Sequence, residues 1–141
     1  CLYNSPSGNA TLFNPEQSSI YSSYCSASDC SASQAIDGDL VTYSRTDWGT
    51  GTTHWWRATM SPTTVHQIVL RAQTNYNEAI TVSLYKGGAL VGDCGTHTGG
   101  GSIQTLSCDK VLADMVQLTM TSTRTTQLEV DEITRIIGGY S

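Results

Sequence analysis

Asp37-Gly38-Asp39 sets two carboxylates about one glycine, and Gln34 stands three residues before the first of them. Glycine accepts backbone angles that other residues avoid, so such a turn aims carboxylate and carbonyl oxygens at one point. Hard cations are held in this way. Calcium takes six to eight oxygens at about 2.3 to 2.6 Å and mixes carboxylates with carbonyls. Asp131-Glu132 adds two acids near the far end of the chain, where they also read as an exposed edge pair. Zinc suits the sequence poorly, because the three histidines are dispersed and no cysteine cluster has zinc spacing.

A second group of residues has the character of a recognition surface. Between Leu40 and Thr53 the chain is rich in Gly, Thr and Asp, and its large or charged members are Tyr43, Arg45, Asp47 and Trp48. An aromatic ring, an arginine and an acid on one loop are the usual means of gripping a ligand, although Trp48 also reads as a ring packed beneath the loop. Catalytic chemistry has no comparable signature. No nucleophile and base stand at a recognisable spacing, and hydroxyls are too abundant for a Ser and His coincidence to carry meaning. The acids fit a cation better than the paired carboxyls of a glycosidase, so no enzyme is expected.

The elements that must position these residues are strands. Trp55 to Met60, Val65 to Ala72, Ala79 to Tyr85, Ile103 to Cys108 and Met115 to Thr121 show β-branched or alternating patterns. Ala10 to Phe13 reads as a first short strand ended by Asn14-Pro15, and Ser61 to Thr64 as a turn. Lys86-Gly87-Gly88 marks a hairpin. Ala32 to Ile36 fits a single helical turn, and the phase change around Asp131 predicts a bulge in the last strand. In Trp55-Trp56 the rings face opposite ways, one of them into the core. No helix longer than about eight residues is suggested, which describes an antiparallel β-sandwich. Pattern alone leaves jelly-roll and immunoglobulin topologies both open.

Composition narrows the partners. A chain of 141 residues fits one domain with one substantial core, spanning 1–141 with an irregular lead-in over 1–9. Its formal charge of −5, with only seven Lys and Arg, opposes a phosphate-backbone binder, so nucleic acid is excluded. No apolar run reaches the ~18 residues needed to span a bilayer. The start lacks a basic region followed by an apolar one, so any secretory leader is expected to have been removed or omitted. Five cysteines in so polar a chain point to an oxidising compartment, secreted or on the outer face of the cell. Asn9-Ala10-Thr11 is a sequon for N-glycosylation at Asn9.

The runs Gln17-Ser18-Ser19, Ala32-Ser33-Gln34-Ala35-Ile36-Asp37-Gly38-Asp39 and Trp55-Trp56 resemble the F-type lectins (fucolectins), which belong to the discoidin-like, galactose-binding-domain-like jelly rolls. The likeness extends from about Ala10 to Gly138. It implies an all-β jelly roll with neighbouring terminal segments, and a structural Ca2+ held by Gln34, Asp37 and Asp39 on the turn. It adds a hydroxyl from Thr42 or Ser44, and Asp131 with Glu132 from the last strand. Asp131 stands where the family has a cysteine, and no cysteine between Asp39 and His54 is present to partner one. The family's fucose-binding arginine falls on Arg71, with His54 as the nearest histidine. Gln73 takes the place of an acid, Glu78 that of the second basic residue, and the adjacent-cysteine platform expected near Thr74 and Asn75 is missing.

The resemblance and the residues together imply a non-enzymatic recognition module. Its ligand site gathers Arg45, Asp47, Trp48, His54, Arg71, Gln73, Asn75, Tyr76 and Glu78 at one end of the sandwich. The leading partner is a glycan, with fucose- or galactose-containing chains in view, and the alternative is a cell-surface protein. Cys25 is expected to pair with Cys30 and Cys94 with Cys108, which leaves Cys1 free, bonded outside the domain or bonded to another molecule. Non-reducing peptide mass mapping of exported protein should return both linked pairs, and finding both reduced would overturn the oxidising-compartment reading.

Overall fold

A computed structural model of the chain describes residues 8–21, 25, 30–51 and 53–139. Its elements, in chain order, are β1 (Gly8–Asn9), β2 (Leu12–Gln17), a 3-10 turn (Ala32–Ile36), β3 (Ser44–Arg45), β4 (Gly49–Thr50), β5 (Thr53–Thr74) and β6 (Ile80–Lys86). There follow β7 (Ala89–His97), β8 (Gly100–Ser107), β9 (Leu112–Thr121), β10 (Thr125–Thr126) and β11 (Leu128–Gly139). Every strand pairing is antiparallel. No helix among the described residues is long and apolar enough to cross a membrane.

The long strand β5 belongs to both layers of the sandwich. Its first half pairs with β2 and β9, and β9 continues through β6 to the edge strand β7. Its second half pairs with β11 and β8, and β1 and β3 add to the far side of β11. Between the layers lie Trp56, Ala58 and Met60 from the first half of β5, Ile68, Leu70 and Ala72 from the second, and Ile80, Val82, Leu84, Val116, Leu118 and Met120 from β6 and β9. The alternation read in β6 and β9 is the alternation of this core.

Two expected boundaries differ from the structure, each for a backbone reason. Ser61 to Thr64 is not a turn, because β5 runs straight through it. Pro62 lies within a register shift against β9, between Thr59 and Thr63, where a missing N–H breaks no ladder bond. Asn14-Pro15 does not end the first strand either. Asn14 takes a φ of 50°, tolerated by its short polar side chain, and β2 bulges there and continues to Gln17. The predicted shift in β11 is present between Val130 and Glu132.

The two adjacent tryptophans divide as the strand period requires. Trp56 is fully enclosed, and its indole N–H donates to the Ala32 carbonyl at 2.9 Å, which fixes the 3-10 turn against the core. Trp55 faces outward beneath the Arg57 guanidinium, 4.5 Å from the ring centre. Cys25 is bonded to Cys30 and Cys94 to Cys108; Cys1 lies outside the described residues. The N-terminal Gly8 and Asn9 pair with Gly138 and Ile137, so the terminal segments are neighbours.

The turn after β7 braces the loop that carries Asn75. A Cβ at Gly99 would stand 2.1 Å from the Glu78 carbonyl, and its φ of +76° suits glycine alone. The Thr74 N–H donates to the Gly99 carbonyl at 2.9 Å, and the Glu78 N–H donates to Thr74 Oγ1 at 2.6 Å. Truncating Trp56→Ala removes the largest core side chain and the bond that holds the 3-10 turn. A loss of about 3–5 kcal/mol is expected in urea unfolding monitored by tyrosine fluorescence or circular dichroism.

Candidate functional site

Four oxygens gather on the turn after the 3-10 segment. Thr42 Oγ1 lies 3.5 Å from the Gln34 carbonyl oxygen, 3.1 Å from the Asp39 carbonyl oxygen and in short contact with Asp37 Oδ2. One hydroxyl proton cannot satisfy three acceptors, so the group is rich in unneutralised lone pairs. Glu132 reaches the same turn from β11: its Oε2 accepts the Gly38 N–H at 3.1 Å, while its buried Oε1 has no hydrogen-bond partner. The Asp37 and Asp39 side chains also shape the turn, accepting from the Asp39 and Val41 amides.

This donor set fits a hard cation. It offers two carbonyls, a hydroxyl and the Asp37 and Glu132 carboxyls, the mixture that calcium takes. Among the described residues no three His, Cys, Asp or Glu side chains cluster as a metal site. The Ser44 hydroxyl and the Asp131 side chain point elsewhere. Ser44 is buried and donates to the Val130 carbonyl at 3.4 Å, leaving Thr42 as the hydroxyl on the turn. The Asp131 carboxyl group lies 3.1 Å from Arg71 Nε, without the alignment of a hydrogen bond.

The electrostatics of the acids follow from this crowding. Burial, then the neighbouring Asp37 and Asp39 carboxylates, pushes Glu132 up to about 7 against the help of the Gly38 amide. Burial and the adjoining Glu129 push Asp131 up to about 8, with Arg71 and Arg45 opposing. Glu129 moves the other way. Burial acts to raise it, but bonds from Asp131, Arg45 and Gln73 hold it below the ordinary carboxylate range. Asp37 is likewise held low, by Thr42 and the Asp39 amide, although burial acts against them.

A cleft of about 310 Å³ opens beside this network at the end of the sandwich. Its floor is Glu129, 7 % exposed, whose Oε1 accepts from Arg45 Nε at 3.0 Å and from Arg45 Nη2, and whose Oε2 accepts from Gln73 Nε2. Arg45 is clasped in turn by aromatic faces, 4.6 Å from the Tyr43 ring centre and 5.9 Å from that of Tyr21. Tyr21 packs edge-on against Trp48 at 6.3 Å, and Trp48 keeps 42 % of its surface exposed at the rim. Asn75 and Gln127 close the other side. Asn75 Oδ1 accepts the Gln127 backbone N–H at 3.1 Å, and Gln127 Nε2 donates to the Thr46 carbonyl at 2.8 Å.

The structure thus brings Arg45, Trp48, Gln73 and Asn75 together and leaves the other expected residues outside the cleft wall. His54 is 4 % exposed, with Nδ1 bonded to Thr46 Oγ1 at 3.2 Å. Arg71 belongs to Asp131. Glu78 accepts from Thr126 behind Asn75, and Asp47 Oδ1 caps the Trp48 amide. Tyr76 stands exposed under the Arg124 guanidinium, 4.6 Å from its ring centre. Glu129, Tyr21 and Gln127 escaped the sequence reading. Only the run Glu129-Val130-Asp131-Glu132, unusually acidic for a strand, signals that part of the floor.

The shared long strand and the bulged last strand build an all-β antiparallel sandwich consistent with a discoidin-like jelly-roll fold. Solved structures of this fold superpose closely. The chitosan-binding module 1 of a chitosanase/glucanase from Paenibacillus sp. IK-5 matches with a TM-score of 0.70 and 20% identity, covering 98% of this chain and 100% of that one. A serum fucolectin from striped bass, Morone saxatilis, matches at 0.72 and 16% identity over 96% of this chain, which spans 49% of that one. A fucose-binding module from Streptococcus pneumoniae matches at 0.70 and 14% identity, covering 99% of this chain and 100% of that one. At these identities the likeness establishes the fold. No protein-family model matches the sequence, and neither does any curated sequence.

Raised carboxyl pKa values make metal-free stability depend on pH in a definite direction. A folded-state value of about 7 for Glu132, against 4.5 unfolded, means that its contribution is fully present below 4.5 and is lost as pH rises through about 7. In chelator, the stability of the wild type relative to Glu132→Gln should therefore fall as pH climbs through that window. Paired thermal melts check the slope, and parallel profiles would refute it.

Proposed function

We propose that the chain is a non-enzymatic carbohydrate-binding module of an extracellular protein, supported by calcium at the Asp37 turn. The observation that carries this reading is the cleft itself. An exposed indole stands beside a floor of fixed planar hydrogen-bonding groups. A sugar ring has an apolar face suited to Trp48 and equatorial hydroxyls suited to the Arg45 guanidinium, the Gln73 amide and the Glu129 carboxylate. Arg45 and Glu129 neutralise each other, which favours a polyhydroxylated ligand without strong charge of its own. Solved proteins of this fold that are named for binding chitosan and fucose support the general class.

The particular sugar is argued from the departures. With Arg71 paired to Asp131, His54 enclosed and Glu78 where a cation belongs, the fucose-recognition pattern is incomplete, and a hexose or hexosamine stacked on Trp48 is the better ligand. Calcium would be held by the Gln34 and Asp39 carbonyls, the Thr42 hydroxyl and the Asp37 and Glu132 carboxylates. It would supply the positive charge that lets both carboxyls ionise together. Because the ion binds the folded chain, millimolar calcium should raise the melting temperature, and Asp37→Asn should remove that rise.

A multivalent glycan array with the calcium-loaded chain tests the function directly. Saturable binding should weaken about tenfold or more in Trp48→Ala, which removes the stacking surface without touching the core. The Arg45→Ala variant should bind worse and also melt lower, since it strands Glu129. Absence of glycan binding in every arm would instead favour recognition of a cell-surface protein by the exposed Trp48 and Tyr76.

A further inference from the structure

His97 closes β7 with its side chain wholly enclosed, and both ring nitrogens are engaged across the turn into β8. Nε2 lies 2.8 Å from the Ser102 carbonyl oxygen, and the Gly99 N–H donates to Nδ1 at 2.9 Å. These partners dictate the tautomer. A carbonyl only accepts and an amide N–H only donates, so Nε2 carries the proton and Nδ1 keeps its lone pair. The imidazolium has a donor on each nitrogen, and at Gly99 it would set N–H against N–H. Enclosed as the ring is, neither donor reaches water unless the turn moves, and a buried donor without a partner is costly.

Gly99 is also the residue that braces the cleft wall. Its carbonyl accepts the Thr74 N–H at 2.9 Å, and its bare α-carbon packs against the Glu78 carbonyl, where a Cβ would stand 2.1 Å away. Thr74 Oγ1 in turn accepts the Glu78 N–H at 2.6 Å and closes the loop. From that loop Asn75 Oδ1 accepts the Gln127 N–H at 3.1 Å and the Thr126 hydroxyl at 3.2 Å. A relay of bonded groups therefore runs from the His97 ring to a residue that lines the cleft.

The charged and titratable side chains on the elements packed against His97 are engaged elsewhere. Glu78, just before β6, accepts from Thr126, and Tyr76 lies under Arg124. Tyr85 and Lys86 stand at the far end of β6, where Lys86 pairs with Ala89 rather than with His97. Asp93 on β7 accepts the Gly95 N–H, Arg71 on β5 faces Asp131, and His66 lies at the far end of the β5–β8 ladder; β8 itself has none. Burial holds His97 below the ordinary histidine value of 6.5, with the Ser102 carbonyl opposing. The ring is thus neutral at neutral pH, and its contribution to the fold is lost as pH falls below 6.5 through the lower folded value.

We propose that His97 is an acid-operated latch on the wall of the cleft: protonation at Nδ1 expels the Gly99 amide and frees the Thr74–Glu78 loop that carries Asn75. Its effect on a glycan rests on the cleft being the binding site, whereas the latch itself does not.

Isotope-labelled chain without any glycan, followed by NMR from neutral pH into the mildly acidic range, tests the latch. Ring nitrogen shifts of His97 at neutral pH should show the Nε2–H tautomer. As the ring takes up its proton, protection of the Gly99, Thr74 and Glu78 amides from hydrogen exchange should fall about tenfold or more. The amides of Val82 and Leu118, paired within the core ladder, should stay protected, and the Asn75 side-chain signals should move with the His97 midpoint. His97→Asn keeps an acceptor for the Gly99 N–H, as in an Asx turn, and takes up no proton, so acid should leave the protection of its loop unchanged. If that variant does not fold, the wild-type midpoint and the contrast between loop and core decide alone. An Nδ1–H tautomer at neutral pH, loop protection that survives protonation of the ring, protection lost in loop and core together, or the same acid loss in folded His97→Asn would overturn the latch.

Discussion

Strand β11 buries three carboxyl groups within four residues, Glu129, Asp131 and Glu132, each less than a tenth exposed. Isolated buried carboxylates are prohibitively costly, so each must be paired, hydrogen-bonded or protonated. Much of the polar architecture answers that requirement. Arg45 and Gln73 converge on Glu129, Arg71 faces Asp131, and the Gly38 amide meets Glu132. The register shift between Val130 and Glu132 lets the consecutive acids Asp131 and Glu132 serve opposite sides, one toward Arg71 and the other toward the Asp37 turn.

The turn and the cleft are joined by a very short ladder. Strand β3 pairs Arg45 with Glu129 and Ser44 with Val130, and the Thr46 N–H continues the ladder to the Leu128 carbonyl at 2.9 Å. Thr42 lies two residues before that ladder on one strand, and Glu132 lies two residues after it on the other. Whatever fixes the oxygens around Thr42 and Glu132 therefore also fixes the backbone that presents Arg45 and Glu129 to the cleft. The turn and the cleft thus share one continuous stretch of paired backbone.

The cleft draws its character from groups that restrain one another. Arg45 lies between Tyr43 and Tyr21, Tyr21 supports Trp48 edge-on, and Asn75 is braced by Gly99 through the Thr74–Glu78 loop. Rigid aromatic and planar polar groups held in this way have little conformational freedom left to lose. Charge is balanced within the floor, in keeping with a chain in which only 13% of residues are charged.

The local periodicities of β6, β9 and the Trp55-Trp56 pair, the Asp37-Gly38-Asp39 turn and the bulge before Glu132 were all legible in the sequence, because each depends on neighbours along the chain. Hydrophobic alternation selects a sandwich, and a glycine between two acids selects a tight, oxygen-rich turn, whatever lies beyond them. Partnership across the fold was not legible. Nothing near Arg71 in sequence announces Asp131, sixty residues away, nor does anything near His54 reveal that it is buried against Thr46. Pro62 reads as a turn until β9 is seen to leave a gap in its ladder there. Glu129 becomes a cleft floor only when β3 and β5 bring Arg45 and Gln73 to its two oxygens. A charged side chain is defined by the partner that neutralises it, and long-range strand pairing, not local sequence, chose those partners.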